Sequence, residues 1–97
     1  FAALVPMQVA RNAYQLMGII ADVTKLGNRN AVTDACVAMM SARSAVLGAL
    51  MNVRINLGSL KDTTFVGQLQ SEADELERKA CAKEKELLDA INQDLRI

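Results

Sequence analysis

The sequence predicts an all-α fold, a bundle of three long helices, and three observations carry that prediction. Hydrophobic residues make up 52% of the 97-residue chain while aromatics make up only 3%. The core must therefore come from Ala, Leu, Val, Ile and Met, of which Ala, Leu and Met are strong helix formers. The chain has one proline and five glycines, so there are few places for a helix to break. Apolar residues recur at spacings of three and four along nearly the whole length. At this size one domain with a thin core is expected.

The first helix is predicted from about Pro6 to Leu26. Proline is tolerated in a first turn, where its missing N–H is no loss. Val9, Ala13, Leu16, Ile20 and Val23 form one apolar stripe, and Met7, Ala10, Tyr14, Met17 and Ala21 form a second beside it. Gln8, Arg11, Gln15, Asp22 and Lys25 lie on the polar side. Gly27 suits a left-handed stop.

The second helix is predicted from about Ala31 to Leu57, with Asn28 or Asn30 able to cap it. Three lines run along it. Ala35, Ala38, Ala42, Ala45 and Ala49 form a small-residue line that Asn52 and Asn56 continue. Val32, Cys36, Met39, Val46, Leu50, Val53 and Leu57 form a large-residue line interrupted only by Arg43, for which a carboxylate or backbone partner is expected. Val37, Met40, Leu47 and Met51 form the third. A helix apolar on most faces belongs in the middle of a bundle or an oligomer. Gly58 and Ser59 end it. The third helix begins near Asp62 or Thr63 and reaches about Asp94. Val66, Leu69, Ala73, Leu76 and Ala80 carry its stripe, which Leu87 or Leu88, Ile91 and Leu95 resume. Glu75 and Lys79 stand four apart in the favourable order, and the charges of this helix read as a solvated face. Three helices cannot cover the second one, so more chain, another copy, or both is expected.

Composition narrows the function. Eleven basic and eleven acidic residues balance, so no global basic field exists to hold nucleic acid or an anionic membrane surface. No histidine is present. That excludes imidazole catalysis and argues against zinc. Two cysteines, Cys36 and Cys81, do not make a disulfide framework, and reduced thiols in a cytoplasmic protein are expected. The charge-free stretches are too short to span a bilayer, and no signal peptide pattern opens the chain. Phe1 is not an initiator methionine, which suggests a fragment.

The polar groups inside the second helix are the candidate site. Asn52 and Asn56 share a face, Arg54 lies about 160° from both, and Asp34 lies about 27 Å along the axis from Asn52 at ~1.5 Å per residue. Plainer readings stand beside a functional one. Buried asparagines fix helix register, and buried arginines pair with a carboxylate of another helix. An acid in the first turn is favoured by the helix dipole, and Asn28 and Asn30 are caps by default. No phosphate loop, nucleophile elbow or metal-spaced cluster is present.

Two ordered motifs go further. Gly27, Asn28, Asn30, Thr33 and Asp34 match Gly-Asn-x-Asn-x-x-Ser/Thr-Asp. Gly48, Ala49, Asn52, Val53, Ile55, Asn56 and Leu57 match Gly-Ala-x-x-Asn-Val-x-Ile-Asn-Leu. With these, the chain resembles the C-terminal half of the formiminotetrahydrofolate cyclodeaminase and methenyltetrahydrofolate cyclohydrolase family. The resemblance covers most of residues 1–97 and weakens in the third helix. It implies an all-α homodimeric enzyme of folate one-carbon metabolism and histidine catabolism, acting in the cytoplasm on a tetrahydrofolate derivative without metal, nucleic acid or membrane. Its reaction would be closure of 5-formiminotetrahydrofolate to 5,10-methenyltetrahydrofolate with release of ammonia, or cyclohydrolase chemistry at the same centre. Asp34 is the implied acid–base residue, and Asn28, Asn30, Asn52, Asn56 and Arg54 the implied substrate-binding residues. Family members are about twice as long, so a chain lacking the first half is expected to be inactive by itself. The alternative is a non-catalytic helical oligomerisation or interaction module.

Overall fold

The computed structural model describes residues 2–25, 27 and 29–95. Three helices run up, down and up: α1 (Leu4–Thr24), α2 (Arg29–Leu57) and α3 (Thr63–Leu95). No strand occurs among the described residues. The long helices and short connections give a rod-like bundle of 55 × 18 × 16 Å. The boundaries fall within about two residues of those read from the apolar periodicity.

Each boundary has a local cause. Pro6 is the third residue of α1, still among the N–H groups that a helix leaves unpaired. The α1 exit is closed by Thr24 Oγ1 donating to the Ala21 carbonyl at 2.7 Å. The left-handed stop expected at Gly27 does not form, since no described glycine has positive φ. A Cβ at Gly27 would instead meet the Ala31 Cβ at 3.2 Å. That glycine serves the close approach of the connection to the first turn of α2. Asn30 is the second residue of α2 and therefore not its cap. Asn28, the other expected cap, lies outside the described residues. Asp62 caps α3, its Oδ1 accepting the Phe65 N–H at 3.0 Å.

The core is aliphatic and rich in sulfur. Met7, Met17, Met39, Val46, Leu50 and Val53 are fully buried. The large-residue line of α2 faces inward as expected, with Cys36, Met39, Val46, Leu50, Val53 and Leu57 all buried. Burial pushes the Cys36 thiol up from its ordinary value, and neither cysteine forms a disulfide. On α3, Leu69, Ala73, Leu76, Ala80 and Ile91 are buried.

The sequence leaves open which apolar lines of α1 and α2 face inward. On α1 the buried residues are Met7, Ala10 and Met17 of one stripe and Ile20 of the other, while Val9, Leu16 and Val23 stay about half exposed. On α2 the alanine line splits. Ala35 and Ala42 are buried and Ala49 is half-buried, but Ala38 and Ala45 are exposed. A line advancing by alternating threes and fours spreads over about 80° of arc at ~100° per residue, so Ala35, Ala42 and Ala49 lie at its inner edge and Ala38 and Ala45 at its outer edge.

Interhelical ion pairs set the register of α3. Arg11 reaches Glu72 through two bonds of 2.5 and 2.6 Å. The hydrogen bond from Arg11 holds the Glu72 carboxyl below its ordinary value. Arg43, the one interruption of the large-residue line, meets Glu84 at 2.9 Å, as expected of an arginine in that position. Glu75 and Lys79 pair at 3.7 Å.

Much of α2 nevertheless remains uncovered. Val37, Met51 and Ile55 are 59%, 64% and 78% exposed. By length and composition α2 is long and apolar enough to cross a membrane, which counting charge-free runs had not suggested. The core helix of a soluble bundle passes the same test. Two of its three arginines, Arg43 and Arg54, are paired with carboxylates of α3, the arrangement of a helix inside a bundle.

Candidate functional site

The polar residues of α2 fall on two different faces. At ~100° per residue, Asp34, Ala38, Ser41, Ala45, Gly48 and Asn52 lie within about 80° of arc. All six are exposed. They make a seam of small and polar residues on the outer surface of α2, flanked by Val5 and Val9 of α1. Ala45, Gly48 and Asn52 line a shallow groove of about 470 Å³ with those two valines. Ser41 belongs to this seam, which the alanine line alone did not reveal. Its signal was the alternating four-three spacing of small and polar residues from position 34.

Asn52 and Asn56 meet at the end of the seam. The Asn56 Nδ2 donates to the Asn52 backbone carbonyl at 2.8 Å and to the Asn52 Oδ1 at 2.7 Å. A backbone carbonyl can only accept, so this contact identifies the nitrogen of Asn56 and the oxygen of Asn52. The pair thereby presents the Asn52 amide nitrogen as a donor and the Asn56 oxygen as an acceptor. Neither engages another described residue.

Asp34 stands near the opposite end of the seam, exposed, with no hydrogen bond or ion pair to any described residue. It is the sixth residue of α2, and the first turn holds no acid. The helix dipole, which acts over the first turn, therefore does not account for it. Asn30 is exposed, and its carbonyl accepts the Thr33 hydroxyl at 2.8 Å. Asn28 lies outside the described residues.

Arg54 is elsewhere. Its guanidinium donates to Glu77 at 2.7 Å and to Asp74 at 3.0 Å, both on α3. The structure brings Asn52 and Asn56 together, puts Asp34 on the same face, and holds Arg54 against a neighbouring helix on the far side. A larger groove of about 700 Å³ lies between α1 and α3, with Asp22, Lys25, Lys83 and Asp94 on its rim. None of the described residues matched by the two motifs lines it. Among the described residues no group of His, Cys, Asp or Glu is arranged to hold a metal ion.

Comparison with known proteins fits the two motifs. The chain is 33% identical over 64 residues to a formimidoyltransferase-cyclodeaminase of Rattus norvegicus, covering 66% of this chain and 12% of that protein. It is 28% identical over 87 residues to a methenyltetrahydrofolate cyclohydrolase of Methylorubrum extorquens, covering 90% of this chain and 42% of that protein. The chain thus spans less than half the length of either relative. The family model described as formiminotransferase-cyclodeaminase matches residues 1–75, which hold all of α1, all of α2 and the first part of α3. With more than three quarters of its length matched, and the whole exposed seam of α2 inside the match, the chain belongs to the formiminotransferase-cyclodeaminase family.

Proposed function

We propose that the chain forms part of a cytoplasmic enzyme that makes or opens the five-membered ring joining N5 and N10 of a tetrahydrofolate, and that it works as a homodimer or larger homo-oligomer. The reaction is closure of 5-formiminotetrahydrofolate. The N10 lone pair attacks the formimino carbon and forms a C–N10 bond. N10 then loses its proton, and the C–N bond to the former imine nitrogen breaks. That nitrogen leaves as ammonia, and 5,10-methenyltetrahydrofolate remains. Attack of water at the same carbon, followed by cleavage of its bond to N5, is the cyclohydrolase direction of the same chemistry.

The observation that carries this reading is the exposed seam of α2, which lies wholly within the family match and holds a carboxylate with no partner among the described residues and a pre-bonded amide pair. Asp34 takes the N10 proton and returns it to the departing amine, work that a positioned carboxylate performs for factors of about 10²–10⁴ in rate. Asn52 and Asn56 hold the substrate through the donor and acceptor left free by their mutual bond. Arg54, engaged by two carboxylates of α3, contributes by fixing α2 against α3 rather than by touching substrate. Asn30 stands at the start of α2, one turn from Asp34.

A second reading, a non-catalytic interaction module, is favoured by the exposed apolar face of Val37, Met51 and Ile55. One experiment separates the two. Formation of methenyltetrahydrofolate, followed by its absorbance, is measured for the gene-encoded protein and its Asp34→Asn variant. The enzyme reading expects a loss of about 100-fold or more in turnover with an unchanged melting temperature. Full activity in Asp34→Asn would remove the acid–base role. Absence of turnover in the unmodified protein would favour the interaction module.

A further inference from the structure

Asp34 and Asn52 share a face but lie about 27 Å apart along α2, at ~1.5 Å per residue. No single small substrate bridges them within one copy. The spacing of the seam resolves this. Asp34, Ala38, Ser41, Ala45, Gly48 and Asn52 follow one another at intervals of 4, 3, 4, 3 and 4. That series reads the same in both directions, about a centre level with Arg43.

A two-fold axis through that centre would set two copies of α2 antiparallel. In such an isologous contact, residue i meets j and j meets i. Asp34 then stands opposite Asn52 of the other copy, Ala38 opposite Gly48, and Ser41 opposite Ala45. The alternating four-three period is that of helices packed at a shallow angle. The four central positions are small, so the two backbones can come close. Gly48 fits this arrangement in particular. It sits mid-helix, where glycine is unfavourable, and a Cβ there would meet no atom of its own chain within 4 Å. The same holds at Gly18 and Gly67, so the open space at Gly48 admits a close neighbour without by itself requiring one. The chemistry at the two ends is complementary as well. The Asn52 oxygen is already taken by Asn56, which leaves its N–H donors facing a carboxylate that has no partner among the described residues of its own chain.

We infer that the folate site of this chain is composite: a second copy packs antiparallel along the α2 seam, and each site takes Asp34 from one copy and the Asn52–Asn56 pair from the other. The inference rests on the folate reading for the substrate, but its geometry stands on the seam alone. Each pair of copies carries two sites, one at either end of the seam, and Val9 and Leu16 of α1, now half exposed, flank the contact.

The test is directed cross-linking of the full chain. Ala38→Cys and Gly48→Cys are made separately in a Cys81→Ser background, which removes the exposed thiol, and are used at more than about ten times the concentration at which the unmodified chain associates, to offset the looser contact that a side chain at 48 brings. The two variants are mixed and oxidised. Across the proposed axis, position 38 of one copy is level with position 48 of the other, whereas two copies of position 38 are about 15 Å apart along the axis. A covalent dimer is expected in the mixture and in neither variant alone. Far-ultraviolet circular dichroism confirms that each variant folds. Should either of them fail to, Ser41→Cys mixed with Ala45→Cys reports the same register. A monomer by sedimentation, or cross-linking as efficient in a single variant as in the mixture, overturns the inference. Folate turnover in the unmodified protein without selective cross-linking leaves the enzyme reading intact and removes the shared site. Selective cross-linking without turnover does the reverse.

Discussion

At the residue scale, an arginine in an apolar line shows how far a pattern can be read. Arg43 interrupts seven large apolar residues, so a polar partner was expected, and Glu84 supplies it at 2.9 Å. Which carboxylate it would be was not legible, because that depends on the register of α3 and not on any local spacing. The pair is only partly shielded, with side-chain exposures of 32% and 17%. A fully buried pair broken on one side costs about 3–5 kcal/mol, whereas exposed pairs contribute about 0.2–1 kcal/mol. Replacing Arg43 with Met is therefore expected to cost roughly 1 kcal/mol, read as a small fall in the urea midpoint. A loss of several kcal/mol would mean that Glu84 is left in a much drier site than its exposure indicates. Asn52 and Asn56 teach the opposite lesson. Their shared face was visible from a spacing of four, but their mutual hydrogen bond, which decides what each presents outward, was not.

At the scale of elements, the three helices were legible because apolar residues repeat at helical intervals and only Gly27 and the segment around Gly58 interrupt them. What could not be read was which apolar stripe faces inward. On α1 both stripes are apolar enough to be core, and the structure buries Met7, Ala10 and Met17 of one and Ile20 of the other. The ambiguity has a physical source: a helix that needs cover on two sides carries two apolar stripes, and a single copy does not cover both. The alanine line of α2 left the same question open, since its members divide between the inner face and the outer seam. Gly48 yields a prediction at this scale. Alanine there suits a helix better by about 0.5–1 kcal/mol, and no atom of the chain opposes the added methyl. Gly48→Ala is expected to keep or raise helix content by circular dichroism. It is also expected to weaken self-association by about tenfold, because overpacking a close contact costs roughly 1–3 kcal/mol. Tighter association in this variant would show that the seam is not a close contact.

At the scale of the whole molecule, α2 carries both the polar seam and a patch of exposed apolar residues. The core side of α2 is closed by α1 and α3, and three arginines of α1 and α2, paired with four carboxylates of α3, hold α3 in place. The outer sides of α2 present the seam and the patch of Val37, Met51 and Ile55. A rod 55 Å long and 16–18 Å thick has little interior in which to enclose a substrate. A site on it needs a second wall, and the seam shows where that wall would lie. The direct measurement is complementation in the gene-encoded protein. Asp34→Asn and Asn52→Ala are each assayed for methenyltetrahydrofolate formation, then mixed under conditions that let copies exchange. Random pairing makes half of the dimers mixed, and each mixed dimer has one of its two sites intact. Recovery to about one quarter of the unmodified turnover is predicted. A mixture no more active than its two components would contradict a folate site shared between copies.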